Sequence, residues 1–356
     1  MQARIDLRKL SLVAALCSTA LLAACGGGGG GSTPTNTASN GSTNTAANTG
    51  SNTATSGSVT TVPPGSIIAT GNQYASGSPE AAIFTQVNAW RQQCGFPLYE
   101  QDTILDAAAQ AHAQYLLTNQ SYDASKYGTV VLDSEDAGQP GFSGVTGQDS
   151  ADALGWPSSI YTGRGDTAYY TNTTLTATQY GTDMLDGWAS GVYHQILVAH
   201  PTRYIGLGTA QTTYNGFPQY FGTFQIGDLA NVSNSAPLTF PCQGVTGLPY
   251  GGGIGETPTP PNMSAQGVGT PITVVGNPAD TIRLQSATIT GPNGSVAVQV
   301  LDASTDPNHE LASFQGEVYP TSPLTANTQY SVSIQGTDNG TPFTRNFTFT
   351  TGSTFE

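Results

Sequence analysis

What most limits the folds open to this chain is the order of its hydrophobic periodicities, helical spacing first and strand alternation second. Ser78-Pro79-Glu80 is a helix start, with a hydroxyl N-cap, proline at the first helical position and a carboxylate in the first turn. Ala82, Ile83, Phe84, Val87 and Trp90 then fall largely on one face, and Gly95 after Cys94 is a stop. A second start at Asp102 leads into Ile104, Leu105, Ala108, Ala111, Tyr115 and Leu116, where repeated alanine allows close helix packing. After a polar, Gly-rich stretch a third helix is expected near 182–190. Past Pro201 the period becomes two: 204–213 and 219–226 flank Tyr214-Asn215-Gly216-Phe217, a hairpin with Asn-Gly at its turn. Helices followed by an antiparallel hairpin make an α+β arrangement and not a doubly wound sheet.

The rest of the chain divides around this domain. Arg4, Arg8 and Lys9 precede an apolar run over 10–22, shorter than the roughly 20 residues a membrane span needs, and then Leu22-Ala23-Ala24-Cys25. That pattern reads as a signal peptide over 1–24, and its last four residues resemble a bacterial lipobox. The resemblance implies lipid on Cys25 and a bilayer as partner, and Gly26 in place of Asp points to the outer membrane, with surface exposure open. Gly, Ser, Thr and Asn dominate from there to Ile67, too little apolar surface to fold. Residues 25–77 therefore read as lipidated cysteine plus leash, with a reach of about 35 Å as a flexible coil.

At the other end, Thr257-Pro258-Thr259-Pro260-Pro261 is a stiff break, so 78–244 reads as the α+β domain and 245–263 as a Gly/Pro linker. Alternating segments at 272–275, 282–290, 296–300, 313–318, 330–335 and 345–350 predict a small β-sandwich over 264–356. Its closing segment, with Tyr330, Phe347 and Phe349 as core, resembles bacterial immunoglobulin-like domains of surface proteins, which implies a spacer or adhesion module.

Charge excludes one class of partner. The full chain carries a formal charge of -14, and Lys126 is the only lysine after the leader. So acidic a body has no electrostatic footprint for nucleic acid. Cys94 and Cys242, the two cysteines outside the leader and the lipobox, read in an oxidising compartment as one disulfide, from the first helix to the end of the same domain.

Asn88-Ala89-Trp90-Arg91, the run Leu105 through His112, Trp188, Tyr193-His194-Gln195, Pro201 and Ile205-Gly206-Leu207-Gly208 together resemble the CAP domains of the cysteine-rich secretory, antigen 5 and pathogenesis-related (SCP-like) proteins. The resemblance implies an α-β-α sandwich with a central cleft. In many members two His and two acidic residues line that cleft and can hold a divalent metal such as zinc. Here the carry-over is partial. His194 stands where the later cleft histidine belongs and is the metal-ligand candidate, while Asp133 and Glu135 could replace the missing earlier histidine as oxygen ligands. The place of the earlier histidine reads Asp133-Ser134-Glu135-Asp136, and the Glu that follows the Trp by three residues in plant members is Gly191.

The cleft candidates are thus His194, His112, Asp133 and Glu135. Each has a plainer reading: a structural histidine for His194, a hydrogen-bonded core or edge histidine for His112 among its alanines, and a solvated acidic loop for Asp133 and Glu135. His200 reads as a surface residue, and the Tyr-rich stretch 161–180 as cleft wall or surface loop. There is no Gly-x-Ser-x-Gly elbow and no phosphate-cradling loop, so catalytic residues stay unknown and no cofactor is certain. Three functions remain open: a cleft binding a small lipid-like or peptide-like ligand, a metal-dependent hydrolase of peptide or cell-wall material, and a structural or adhesive lipoprotein with a vestigial cleft. Monomer is the default state.

Overall fold

The computed structural model describes residues 68–69, 71, 73–233 and 235–356. The leader, Cys25 and nearly all of the leash lie outside the described residues. In chain order the elements are β1 (Ile68–Ala69), α1 (Pro79–Cys94), β2 (Glu100–Asp102), α2 (Thr103–Tyr127), α3 (Gly147–Ala153), β3 (Thr162–Tyr170), α4 (Ala177–Ser190), α5 (Ile196–Ala199), β4 (Thr202–Tyr214) and β5 (Phe217–Leu229). There follow β6 (Leu238–Phe240), β7 (Thr246–Leu248), β8 (Ile272–Val275), β9 (Ile282–Gly291), β10 (Gly294–Val296), β11 (Val298–Asp302), β12 (Gln315–Pro320), β13 (Gln329–Asp338) and β14 (Thr341–Thr351).

The helix signals act where they were read. The Ser78 side chain accepts from Ala81 N, and Gly95 closes α1 in the left-handed conformation at φ 78°, its N–H turned back to Arg91 and Gln92 carbonyls. Asp102 Oδ1 accepts from Ile104 N and Leu105 N at the head of α2. The third helix starts earlier than its apolar pattern suggests, because Thr176 and Gln179 form a capping box there. Asn215 and Gly216 take φ 48° and 84° between β4 and β5, the paired positive angles of a tight hairpin turn.

β4 and β5 lie at the heart of a five-stranded sheet of order β1-β2-β4-β5-β3. α2 packs on one face of this hairpin, while α1 and α4 pack together across the other, giving three layers. The Ile205-Gly206-Leu207-Gly208 motif explains how close α2 comes. A Cβ on Gly206 would lie 2.1 Å from Leu105 backbone, and one on Gly208 2.2 Å from Gln110 N, so only glycine admits the helix. β3 and α3 were not foreseen. β3 has few aliphatic residues and recruits Tyr169 and Tyr170 along its pairing with β5, which turns the Tyr-rich stretch into sheet edge.

The second half holds a five-stranded sheet, β10-β9-β13-β14-β7, and a four-stranded one, β11-β12-β8-β6. Ile272, Val274, Ile289, Val318, Val332 and Phe349 are buried in its core. Two boundaries differ from expectation. β6 and β7 come from the stretch assigned to the first domain and its linker, yet β6 pairs with β8 and β7 runs parallel to β14. Their few apolar residues carry no strand signal until another strand supplies the pairing. Cys94 and Cys242 are disulfide-bonded with Cα atoms 5.4 Å apart. Because Cys242 sits between β6 and β7, the bond staples α1 to the sandwich and does not close the first domain on itself. One continuous apolar cluster runs from Trp90 and Val198 through Phe240 to Ile272 and Phe349, and the Trp90 and Phe240 rings stand 5.4 Å apart.

Candidate functional site

The turn after α4 carries His194. Gly191 is extended, and the next three backbone N–H groups converge on one carboxylate: Val192 N donates to Glu256 Oε2 at 2.8 Å, and Tyr193 N and His194 N to Oε1 at 2.7 and 3.2 Å. His194 Nδ1 lies 2.9 Å from the same Oε1. A carboxylate only accepts, so Nδ1 carries the proton and the tautomer of the neutral ring is set. Burial disfavours the charged ring, but the Glu256 hydrogen bond and charge, helped by Asp133 and Asp166, outweigh it and raise the His194 pKa above its ordinary value.

Glu256 belongs to the segment expected as a linker, and nothing in the local sequence marks it. A Cβ on Gly191 would come within 2.9 Å of Glu256 Oε1, so the glycine that replaces the plant members' acidic residue leaves room for this carboxylate to arrive from 65 residues downstream.

His194 lines a cavity of about 670 Å³. One wall comes from the first half of the chain, with Asp133 on the loop after α2, Arg164 on β3 and Leu197 on α5. The other comes from the sandwich, where His309, Glu310 and Phe314 lie on the loop before β12. Asp306 holds that loop in place: it accepts from the Tyr193 hydroxyl at 2.7 Å and from Asn308, Glu310 and Leu311 backbone N–H groups.

His112 and Glu135, two of the four cleft candidates, do not line this cavity. His112 is fully buried, its Nδ1 2.8 Å from Glu135 Oε1 and its Nε2 2.8 Å from Leu132 O and 3.4 Å from Asp166 Oδ2. Burial opposes its charge, yet Asp166 and Glu135 overcome that and bring the ring up to about 9. Glu135 and Asp166 are held below the carboxylate range, as hydrogen bonds and the His112 charge outweigh burial. The acidic loop folds over α2 because the buried imidazolium needs counter-charges.

His200 is 5 % exposed and so not a surface residue. Its ring stacks on Tyr161 and meets Phe314 edge-on, and burial followed by the Arg91 charge lowers it to about 3, so it is neutral. Arg91 itself is fully buried and donates to Pro97, Val198 and His200 carbonyls, fixing the chain beneath the cavity.

Residues 84–226 match the model of the CAP family, the cysteine-rich secretory protein family. Residues 84–226 are thus similar to a CAP domain. No curated protein matches the chain. The matched region ends within β5, so Glu256 and the loop that closes the cavity are contributions from outside it. Among the described residues no group of three or more His, Cys, Asp and Glu side chains is placed to hold a metal ion. The Glu256 carboxylate on Nδ1 would leave His194 Nε2 able to bind a metal, but Glu135 is committed to His112 and no further donors converge on His194 among the described residues, so the donor set does not fit a zinc centre.

Proposed function

We propose that the chain is an exported lipoprotein, tethered to the outer membrane by acylated Cys25, whose CAP domain binds a small ligand in the cleft it shares with an immunoglobulin-like sandwich. The observation that carries this reading is the composite cavity. Its volume lies in the range of small-molecule sites, and it joins an apolar lining (Ile196, Leu197, Phe314) to a few polar groups held rigidly from two sides. A mere spacer domain would have no reason to lend a wall to it.

Nile red, an uncharged fluorescent probe of apolar sites, tests the proposal. Bound to the full chain it should brighten, and Ala312→Trp, which fills part of the cavity, should abolish that gain. Equal emission from both proteins would defeat the reading. Tethering is tested separately by metabolic labelling with an alkyne fatty acid, which Cys25→Ala should eliminate.

A further inference from the structure

Three buried side-chain nitrogens of the cavity lining have no hydrogen-bond partner among the described residues: His200 Nδ1, a donor or acceptor by tautomer, and two that always carry protons, Arg164 Nη1 on β3 and Gln315 Nε2 on β12. The remaining atoms of these last two groups are engaged. Arg164 Nε donates to Asp166 Oδ2 at 3.2 Å and Nη2 to the Asp133 carbonyl at 3.1 Å, while Gln315 Oε1 accepts from Ala312 N at 2.9 Å. The Arg164 side chain is 4 % exposed and Gln315 2 %, so water does not reach them freely. Buried donors without acceptors are rare in folded proteins and call for a reason. Guanidinium and amide N–H groups can only donate, so whatever completes them brings an acceptor.

The same cavity is also lined by two carboxylates, Asp133 and Glu310, that reach solvent yet are partly desolvated by the cavity walls. Burial and then the Asp166 charge push the Asp133 carboxyl up, and burial followed by the Asp306 and Asp133 charges does the same to Glu310. His194 relieves both in part, and Arg164 and His112 add to that at Asp133. A cationic group entering here would be favoured by both carboxylates at once. Unpaired donors and carboxylates in the lining of one cavity describe a ligand with both signs of charge.

Resting on the ligand-binding reading above, we propose that the cleft recognises a zwitterion of the amino acid or short-peptide class. Its carboxylate is taken by Arg164 and Gln315 and its ammonium by Asp133 and Glu310, while Leu197 and Phe314 receive apolar side chains. A fatty acid supplies only the first end, and a phosphate dianion is repelled by the surrounding carboxylates.

Calorimetry on the full chain with tri-alanine, its N-acetyl derivative, its carboxamide and laurate decides the matter. Tri-alanine should bind, and blocking either terminus should weaken it about tenfold or more, the scale of a lost charge-assisted hydrogen bond. Arg164→Gln should erase the preference for a free carboxylate over the amide. Glu310→Gln, on an exposed loop and therefore safe for folding, should erase the preference for the free amine over its acetyl form. Indifference to both blocking groups, laurate binding as tightly as tri-alanine, or no tri-alanine binding in a protein that still takes up Nile red would each overturn the zwitterion and leave the cleft a binding site. Loss of Nile red uptake as well would remove the underlying reading too.

Discussion

The molecule holds two histidine–carboxylate pairs of nearly the same geometry and opposite consequence. His112 meets Glu135 at 2.8 Å with both side chains fully buried, and His194 meets Glu256 at 2.9 Å with the ring 18 % exposed beside the cavity. The first pair joins α2 to its own covering loop and spends both ring nitrogens doing so. In the second, one carboxylate binds Nδ1 and three backbone N–H groups, leaving the opposite edge of the ring to the cleft. A histidine next to a carboxylate therefore says little by itself. What distinguishes the pairs is where the second ring nitrogen points and which part of the chain supplies the acid.

The sharpest way to break this comparison is His112→Ala. Removing the imidazolium strands Glu135 and Asp166 as buried charges, and the loss should be about 3–5 kcal/mol in denaturant unfolding at neutral pH. A loss near zero would mean the pair is no more structural than its counterpart. The sign with pH follows from the raised His112 value. Its contribution is fully present below the unfolded value of about 6.5 and disappears as pH rises through about 9. Glu135 and Asp166 act at the other end: their contribution is present above the unfolded carboxylate range and fades as pH falls through their lower folded values.

Next in size is the staple between the halves. Cys94→Ser with Cys242→Ser should cost about 2–5 kcal/mol, and because the bond crosses from α1 to the sandwich, it should also loosen the loop that walls the cavity. Hydrogen exchange over 306–315 reads that directly; protection unchanged there would show that the shared apolar core alone holds the wall. Glu256→Gln should cost about 1.5–3 kcal/mol by weakening charge-assisted hydrogen bonds to the 192–194 turn. The His194 pKa, followed by imidazole NMR, should drop in the same variant, while that of His112 stays put. A smaller effect, about 1 kcal/mol, is expected from Gly216→Ala, which forces a Cβ into the left-handed turn between β4 and β5 without touching either pair.

Much of the fold was legible from local chemistry. Ser78, Gly95, Asp102 and the Asn215-Gly216 turn lie where capping and turn rules put them, because each satisfies its neighbours' backbone groups within a few residues. The strands at 272–275 and 282–290 were likewise visible as alternation. β3 and β7 were not, since polar and glycine-rich edges become strands only when a partner offers its free N–H and C=O groups. Of the site, His194 and Asp133 were found by their place in the chain. Arg164, Glu256, Glu310 and Gln315 were missed because no short-range pattern marks them.

The amino-acid sequence alone determined the main helices of the first half, its central hairpin, the acidic charge balance and the CAP-like motifs. Only the tertiary structure decided that the sandwich is part of the cleft, that Cys94 and Cys242 bind the halves together, and that Glu256 and not a nearer acid partners His194. The reason is range. Caps, turns and periodicity act over a few residues, whereas a buried charge takes its partner from wherever packing has brought a carboxylate, and here that is 62 residues along the chain.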